Sequence, residues 1–296
     1  MKTNITRREL LKTTALAVGG AILLNRPVSL WGRESDATTK VVLIRNKALF
    51  DKGTGPDTDI CSKMLDEAVC SLTGKNNPQE AWGTIITKND VLGIKTNRWN
   101  NLATPAELEQ ELKKRALQVG IQENNISIDD RDVIKNPVFQ RATALINIRP
   151  MRTHAWSGVG SLIKNYITFA EDRPSFHPDS CASLATLYDL PAVKGKTKLH
   201  VLVMFTPLFH HNAASQFSEE YVWKYNGILV GFDPVAVDSV GLRIIQGKRN
   251  EFFKEDRPLN PPAKHIALAD TQYHLGTSDP SKIELVKLGW DDNSFV

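Results

Sequence analysis

Cysteine is scarce in this sequence: Cys61, Cys70 and Cys181 are the only three in 296 residues. No Cys-x-x-Cys pair occurs, which argues against an iron–sulfur cluster or a cysteine-held zinc. Cys61 and Cys70 lie nine residues apart on one predicted helix. That separation is about 13 Å, beyond the reach of a disulfide. The odd count gives no disulfide framework, and buried thiols are the simpler reading. An excess of one charge is also missing. Lys and Arg number 37 against 33 Asp and Glu, a formal net charge of +4. Several of the surplus positive charges fall near the N-terminus, so the rest of the chain is close to neutral. That speaks against a nucleic-acid-binding face, which needs clustered lysine and arginine. No long apolar run follows residue 24, so no membrane span is expected in the body. His-Glu-x-x-His, internal repeats and low-complexity tracts are absent as well.

What is present starts with Thr6-Arg7-Arg8-Glu9-Leu10-Leu11-Lys12, followed by a short apolar run from Ala15 to Leu24. An arginine pair ahead of an apolar segment is the order of a twin-arginine export leader. It predicts handling by the twin-arginine machinery and a periplasmic or cell-envelope location, with the leader either cleaved or kept as an anchor. Residues 1–38 are assigned to this leader. Residues 39–296 are expected to form a single α/β domain, with a subdivision near residue 150 as the alternative.

Apolar strands at 40–45, 90–95, 126–129 and 144–148 alternate with helical patterns at 60–72 and 106–119. Such alternation predicts a mostly parallel or mixed sheet with helices on both faces and a Rossmann-like first half. Thr104-Pro105-Ala106-Glu107 reads as a helix start with a capping box. Farther on, Lys198–Phe205 and Gly227–Gly231 read as strands, Asp233-Pro234 opens a helix, and Ile283–Leu288 is a last strand. Ligands of such sheets bind beyond the carboxyl ends of the strands. Candidate positions are therefore Lys95 and Asn97, Asp129 and Asp130, and Arg149 to His154.

The stretch Arg149-Pro150-Met151-Arg152-Thr153-His154 reads as a loop after the fourth strand. A second loop, Gly158-Val159-Gly160, opens the helix that carries Lys164-Asn165. Arg152, His154 and Lys164 near exposed backbone N–H groups suit a phosphate or carboxylate; a solvated basic face is the plainer alternative. Sharper motifs fail here. Gly158-x-Gly160 lacks the third glycine of a dinucleotide fingerprint. Ser161-x-x-Lys164 lacks the companion motifs of penicillin-binding enzymes. Asp233 is an N-cap by default. Asp238 lies one turn into an apolar helix and, if buried, needs a partner cation or hydrogen-bond donors; a metal or the Lys164 ammonium would serve.

Lys95-Thr96-Asn97, Arg152-Thr153-His154, Lys164-Asn165 and Asp233-Pro234-Val235-Ala236-Val237-Asp238 occur in an order that resembles the domain of unknown function 362 family. The resemblance covers most of residues 40–290. This chain departs from it in carrying Arg152 where lysine is usual. It also lacks the cysteine-rich ferredoxin segments of many relatives, so their electron-transfer role does not carry over. The family name fixes no activity. The residues themselves support an exported enzyme with a pocket for a small anionic substrate and, as an expectation, a divalent metal. His154 and Lys164 are the candidate catalytic groups. Lys95, Asn97, Arg152 and Asn165 are candidate substrate ligands, and Asp233 and Asp238 candidate metal ligands. The alternatives are a non-catalytic envelope binding protein and an accessory factor for another exported enzyme.

Overall fold

The structure is a computed structural model that describes residues 38–53, 55–212 and 215–296. The expected leader, with Arg7 and Arg8, lies outside the described residues. Strands β1 (Thr39–Arg45), β2 (Leu92–Lys95), β3 (Ile126–Asp129), β4 (Ala144–His154), β5 (Gly158–Gly160), β6 (Thr197–Leu208), β7 (Gly227–Gly231) and β8 (Ile283–Gly289) make one sheet. Its order is β3-β2-β4-β6-β7-β1-β8, with β5 paired to the end of β4. β2 is parallel to both β3 and β4, β4 to β6, and β1 to β8. β7 runs antiparallel between β6 and β1, so the sheet is mixed.

The Rossmann-like first half would have placed β1 beside β2. The chain instead sends β1 across the sheet, between β7 and β8, and β4 takes the place beside β2. β3, β2 and β4 remain parallel neighbours, so their carboxyl ends open on the same rim.

Helices cover both faces because the buried strands alternate apolar side chains between two cores. Val42, Ile44, Ile146, Ile148, Val201 and Val203 pack with α1 (Thr58–Thr73), α2 (Pro78–Ile85) and α3 (Ala106–Val119). Val41, Leu43, Leu145, Leu202 and Leu229 pack with the short α4 (Leu162–Asn165), with α5 (Pro234–Phe253) and with α6 (Lys264–Thr271). α1 starts on Asp57, whose carboxylate accepts from the N–H groups of Asp59 and Ile60, and stops at Gly74 with φ 70°. No helix among the described residues is long and apolar enough to cross a membrane.

The start of α3 departs from the capping-box expectation. Pro105 is its N-cap residue, and no side chain caps it. The Thr104 hydroxyl turns instead to the backbone of Asn97, accepting from its N–H and donating to its C=O at 3.2 Å each. This latch fixes the segment after β2, where the cavity begins.

Candidate functional site

A cavity of about 560 Å³ opens beyond the carboxyl ends of β2, β3 and β4. Its floor is a buried polar network. Lys95, the last residue of β2, is fully enclosed, and its ammonium donates to Asp130 Oδ1 at 2.7 Å, Thr96 O at 2.6 Å and Asn165 Oδ1 at 3.3 Å. Burial lowers the Lys95 pKa to about 8 against the pull of Asp130. Burial drives the Asp130 pKa upward, but the Lys95 ammonium and the Arg98 N–H outweigh it, so the carboxyl titrates below its usual range. Asn165 Nδ2 donates to Asn147 Oδ1 and to the carbonyls of Lys95 and Ile148. Asn165 therefore ties β2, β4 and α4 into one rigid unit. Lys95, expected to bind substrate directly, is not on the cavity surface; it braces the wall behind it.

The cationic wall comes from β4. The sequence reading placed Arg149–His154 in a loop, but β4 continues through His154. Gly158–Gly160 folds back on it as β5, pairing Arg152 with Gly160 and His154 with Gly158. The β4–β6 register shifts between Pro150 and Arg152. Such an irregularity re-aims side chains, and here Arg149, Arg152, Thr153 and His154 all reach one cavity. Arg149 is 3% exposed and donates from Nη1 to Ser161 O at 3.0 Å, while its Nε has no partner among the described residues. Arg152, also 3% exposed, donates to Leu102 O and Asn97 Oδ1, both at 2.6 Å. The hydroxyls of Thr153 and Thr168, two further lining residues, are buried without partners among the described residues. Gly160 leaves room for the arginine: a Cβ there would lie 2.6 Å from Arg149 Nη2.

Opposite the strand stands α4. Lys164 is 5% exposed, and among the described residues its ammonium reaches only the Cys181 thiol, at 3.5 Å. Cys181 is buried, as expected, but its contact with Lys164 has no signature in the sequence. Burial lowers the Lys164 pKa and neighbouring Arg149 adds to the effect, against the opposing pull of Cys181. His154 is pushed down to about 2 by burial, Lys164, Arg149 and Arg152. Its imidazole is neutral in the free protein, and its Nδ1 accepts from the Trp156 N–H at 3.2 Å.

Asp233 and Asp238 do not line the cavity. Asp238 is completely buried, and its two oxygens accept from the N–H groups of Leu162 and Ile163 at 2.9 Å each. It anchors the first turn of α4, and with it the backbone that carries Lys164. The Lys164 ammonium considered as its partner points instead to Cys181. Burial raises the Asp238 pKa to about 6, against these amides, the Ser161 hydroxyl and the charge of Arg149. Asp233 Oδ1 caps α5 by accepting from Val235 and Ala236, and Oδ2 accepts from Thr277 N. Among the described residues no three His, Cys, Asp or Glu side chains converge as a metal cage. The acid of the cavity, Asp130, already neutralises Lys95. This donor set does not fit a divalent cation.

The described lining carries Arg131, Arg149, Arg152, Lys164 and Arg173 against the single acid Asp130. None of the three buried cations Arg149, Arg152 and Lys164 has a carboxylate within ion-pair distance among the described residues. The structure thus brings together Asn97, Arg152, His154, Lys164 and Asn165, with Lys95 directly behind them. Asp130 and Arg149 were among the strand-end positions that the sheet rule selected, although neither was given a role there. Trp99, Trp156, Thr168 and His177 gave no sequence signal at all.

Residues 96–243 match the family model described as Domain of unknown function (DUF362), which is half of the chain. No curated protein and no solved structure matches it. The matched stretch holds every residue of the cavity wall named above, while Lys95 stands one residue before it.

Proposed function

The chain belongs to the DUF362 family, and we propose that it is an enzyme that binds a small anionic substrate, bearing phosphate or carboxylate, in the cavity beyond β2, β3 and β4. One observation carries the proposal: three buried cations face a common space with no carboxylate partner, and Arg149 Nε and Thr153 Oγ1 in the same wall make no hydrogen bond. A buried cation left without an anion costs several kcal/mol, and unmet buried polar groups add about 1–3 kcal/mol each. An anionic ligand supplies both missing partners at once.

The same crowding prepares two groups for proton movement. Lys164 and His154 are held toward their neutral forms by burial and by the surrounding positive charge. An entering anion reverses that field and raises both pKa values, so binding and protonation are coupled. Lys164 and His154 are then the side chains placed to exchange a proton with the substrate. The divalent metal considered from the sequence has no place in this scheme, because the cations lining the cavity repel it.

Calorimetric titration of the full chain with inorganic phosphate and with sulfate tests the reading. Binding that is lost in Arg149→Met, with the fold retained by circular dichroism, is the expected result. Equal affinity in wild type and variant overturns it. Export is a separate part of the proposal and rests on Arg7 and Arg8. Lysine at both positions should hold the chain in the cytoplasm; unchanged fractionation to the periplasm refutes the leader.

A further inference from the structure

We propose, resting on the anion reading above, that the ligand is an aryl or heteroaryl anion whose planar ring stacks against Trp156 and Trp99 while its charged group meets Arg149. Inorganic phosphate would fill little of the cavity. Its volume of about 560 Å³ falls within the roughly 300–1,000 Å³ of small-molecule sites. The rest of the space needs an occupant, and the rim describes it.

Trp156 is 57% exposed and Trp99 38% exposed, and no other tryptophan among the described residues is exposed. Both line this cavity. Single exposed apolar rings are ordinary, but two indoles on the rim of one cavity make an apolar patch of the kind that marks a ligand-binding groove. The rim indoles are also held in place. Trp156 sits at the tip of the β4–β5 hairpin, where its backbone N–H donates to His154 Nδ1, and its ring packs on His177 at 4.3 Å between centroids. The Arg131 guanidinium lies 4.8 Å from the centre of the Trp99 ring. Two braced indoles at the mouth and unpaired arginine below make an amphipathic receptor: flat and apolar at the rim, cationic at the floor. A planar ring carrying an anionic group matches both ends, whereas an acyclic aliphatic acid matches only the floor.

The test uses pairs that share charge and size but differ in flatness: phenyl phosphate against cyclohexyl phosphate, and benzoate against cyclohexanecarboxylate. Inorganic phosphate serves as the reference. Full-chain protein is titrated by calorimetry and by quenching of tryptophan fluorescence. Ring stacking on indole predicts roughly 5- to 100-fold tighter binding of the aromatic member. Whichever pair shows this gain identifies the head group as phosphate or carboxylate. In Trp156→Ala the aromatic-to-aliphatic ratio should fall toward one, and Trp156→Phe should retain most of it. Equal affinity within both pairs, or a ratio unchanged in Trp156→Ala, overturns the aryl proposal while leaving the anion site standing. If inorganic phosphate also fails to bind, or binding survives Arg149→Met, the anion reading itself has failed.

Discussion

Asp238 should make an acid-dependent contribution to stability that runs opposite to the usual behaviour of a paired carboxylate. Its two oxygens hold the Leu162 and Ile163 amides in a fully buried setting. Asp238→Ala leaves two N–H groups without partners, at about 1–3 kcal/mol each. Burial also raises its folded pKa from 3.8 to about 6. A carboxyl raised on folding stabilises fully below its unfolded pKa, and this contribution is lost as pH rises through its folded pKa. Over that interval the wild type should lose about 3 kcal/mol from this group alone, at about 1.4 kcal/mol per pKa unit. The Ala variant has no such group. The penalty of the substitution should therefore be largest near pH 4 and shrink by about 3 kcal/mol by pH 7. Urea unfolding of both proteins across this range, followed by circular dichroism, measures the difference while other carboxylates cancel. A penalty that is constant with pH, or that grows toward neutrality, refutes a desolvated Asp238.

Lys95→Met removes one half of a buried ion pair and should cost about 3–5 kcal/mol. In a chain of this size that lowers Tm by roughly 6–20 °C in a thermal melt; a shift under about 2 °C would show that Asp130 is not stranded. Gly160→Ala and Gly158→Ala should part company. The first intrudes on the movable Arg149 guanidinium, so sulfate affinity should drop with little change in Tm. The second has φ 71° and places a Cβ 2.6 Å from Pro261 O, so it should destabilise by more than about 1 kcal/mol. Sulfate binding should also be linked to protons, because its charge is constant while Lys164 starts from a lowered pKa. The bound anion raises that pKa again. Affinity should be full below the free-state value and fall as pH rises through the bound-state value, by up to about tenfold per pH unit. Calorimetry in buffers of different ionisation enthalpy should show net proton uptake; none would contradict the coupling.

Much of the fold was legible because its signals are local. The continuous apolar run of β1, the helical spacing of α1 with Gly74 behind it, and Asp233-Pro234 before α5 each settle one element by nearby physics. The strand order was not legible, because the place of β1 between β7 and β8 depends on contacts 182–190 and 244 residues distant. Arg149–His154 read as a loop since Pro150 discourages a strand, yet pairing with β5 on one side and a shifted register against β6 on the other accommodates it. At the candidate site, strand-end position pointed to Arg152 and His154, and the glycine loop opening a helix pointed to Lys164 and Asn165. They could not separate a ligand-facing lysine from a bracing one. Lys95 and Lys164 differ only in that an aspartate across the sheet reaches the first and no acid reaches the second. Thr104 shows the same limit: its sequence suits a helix cap, but tertiary contact with Asn97 wins.

The claim on which the function rests is that an anion completes the unpaired arginine and lysine of the cavity. A crystal of the full chain soaked in selenate, with anomalous density measured at the selenium edge, addresses it directly. The account predicts a peak within hydrogen-bonding reach of Arg149 Nε and Lys164 Nζ, in wild type and not in Arg149→Met. Anomalous density confined to the outer surface, with the cavity empty of selenium, would contradict it.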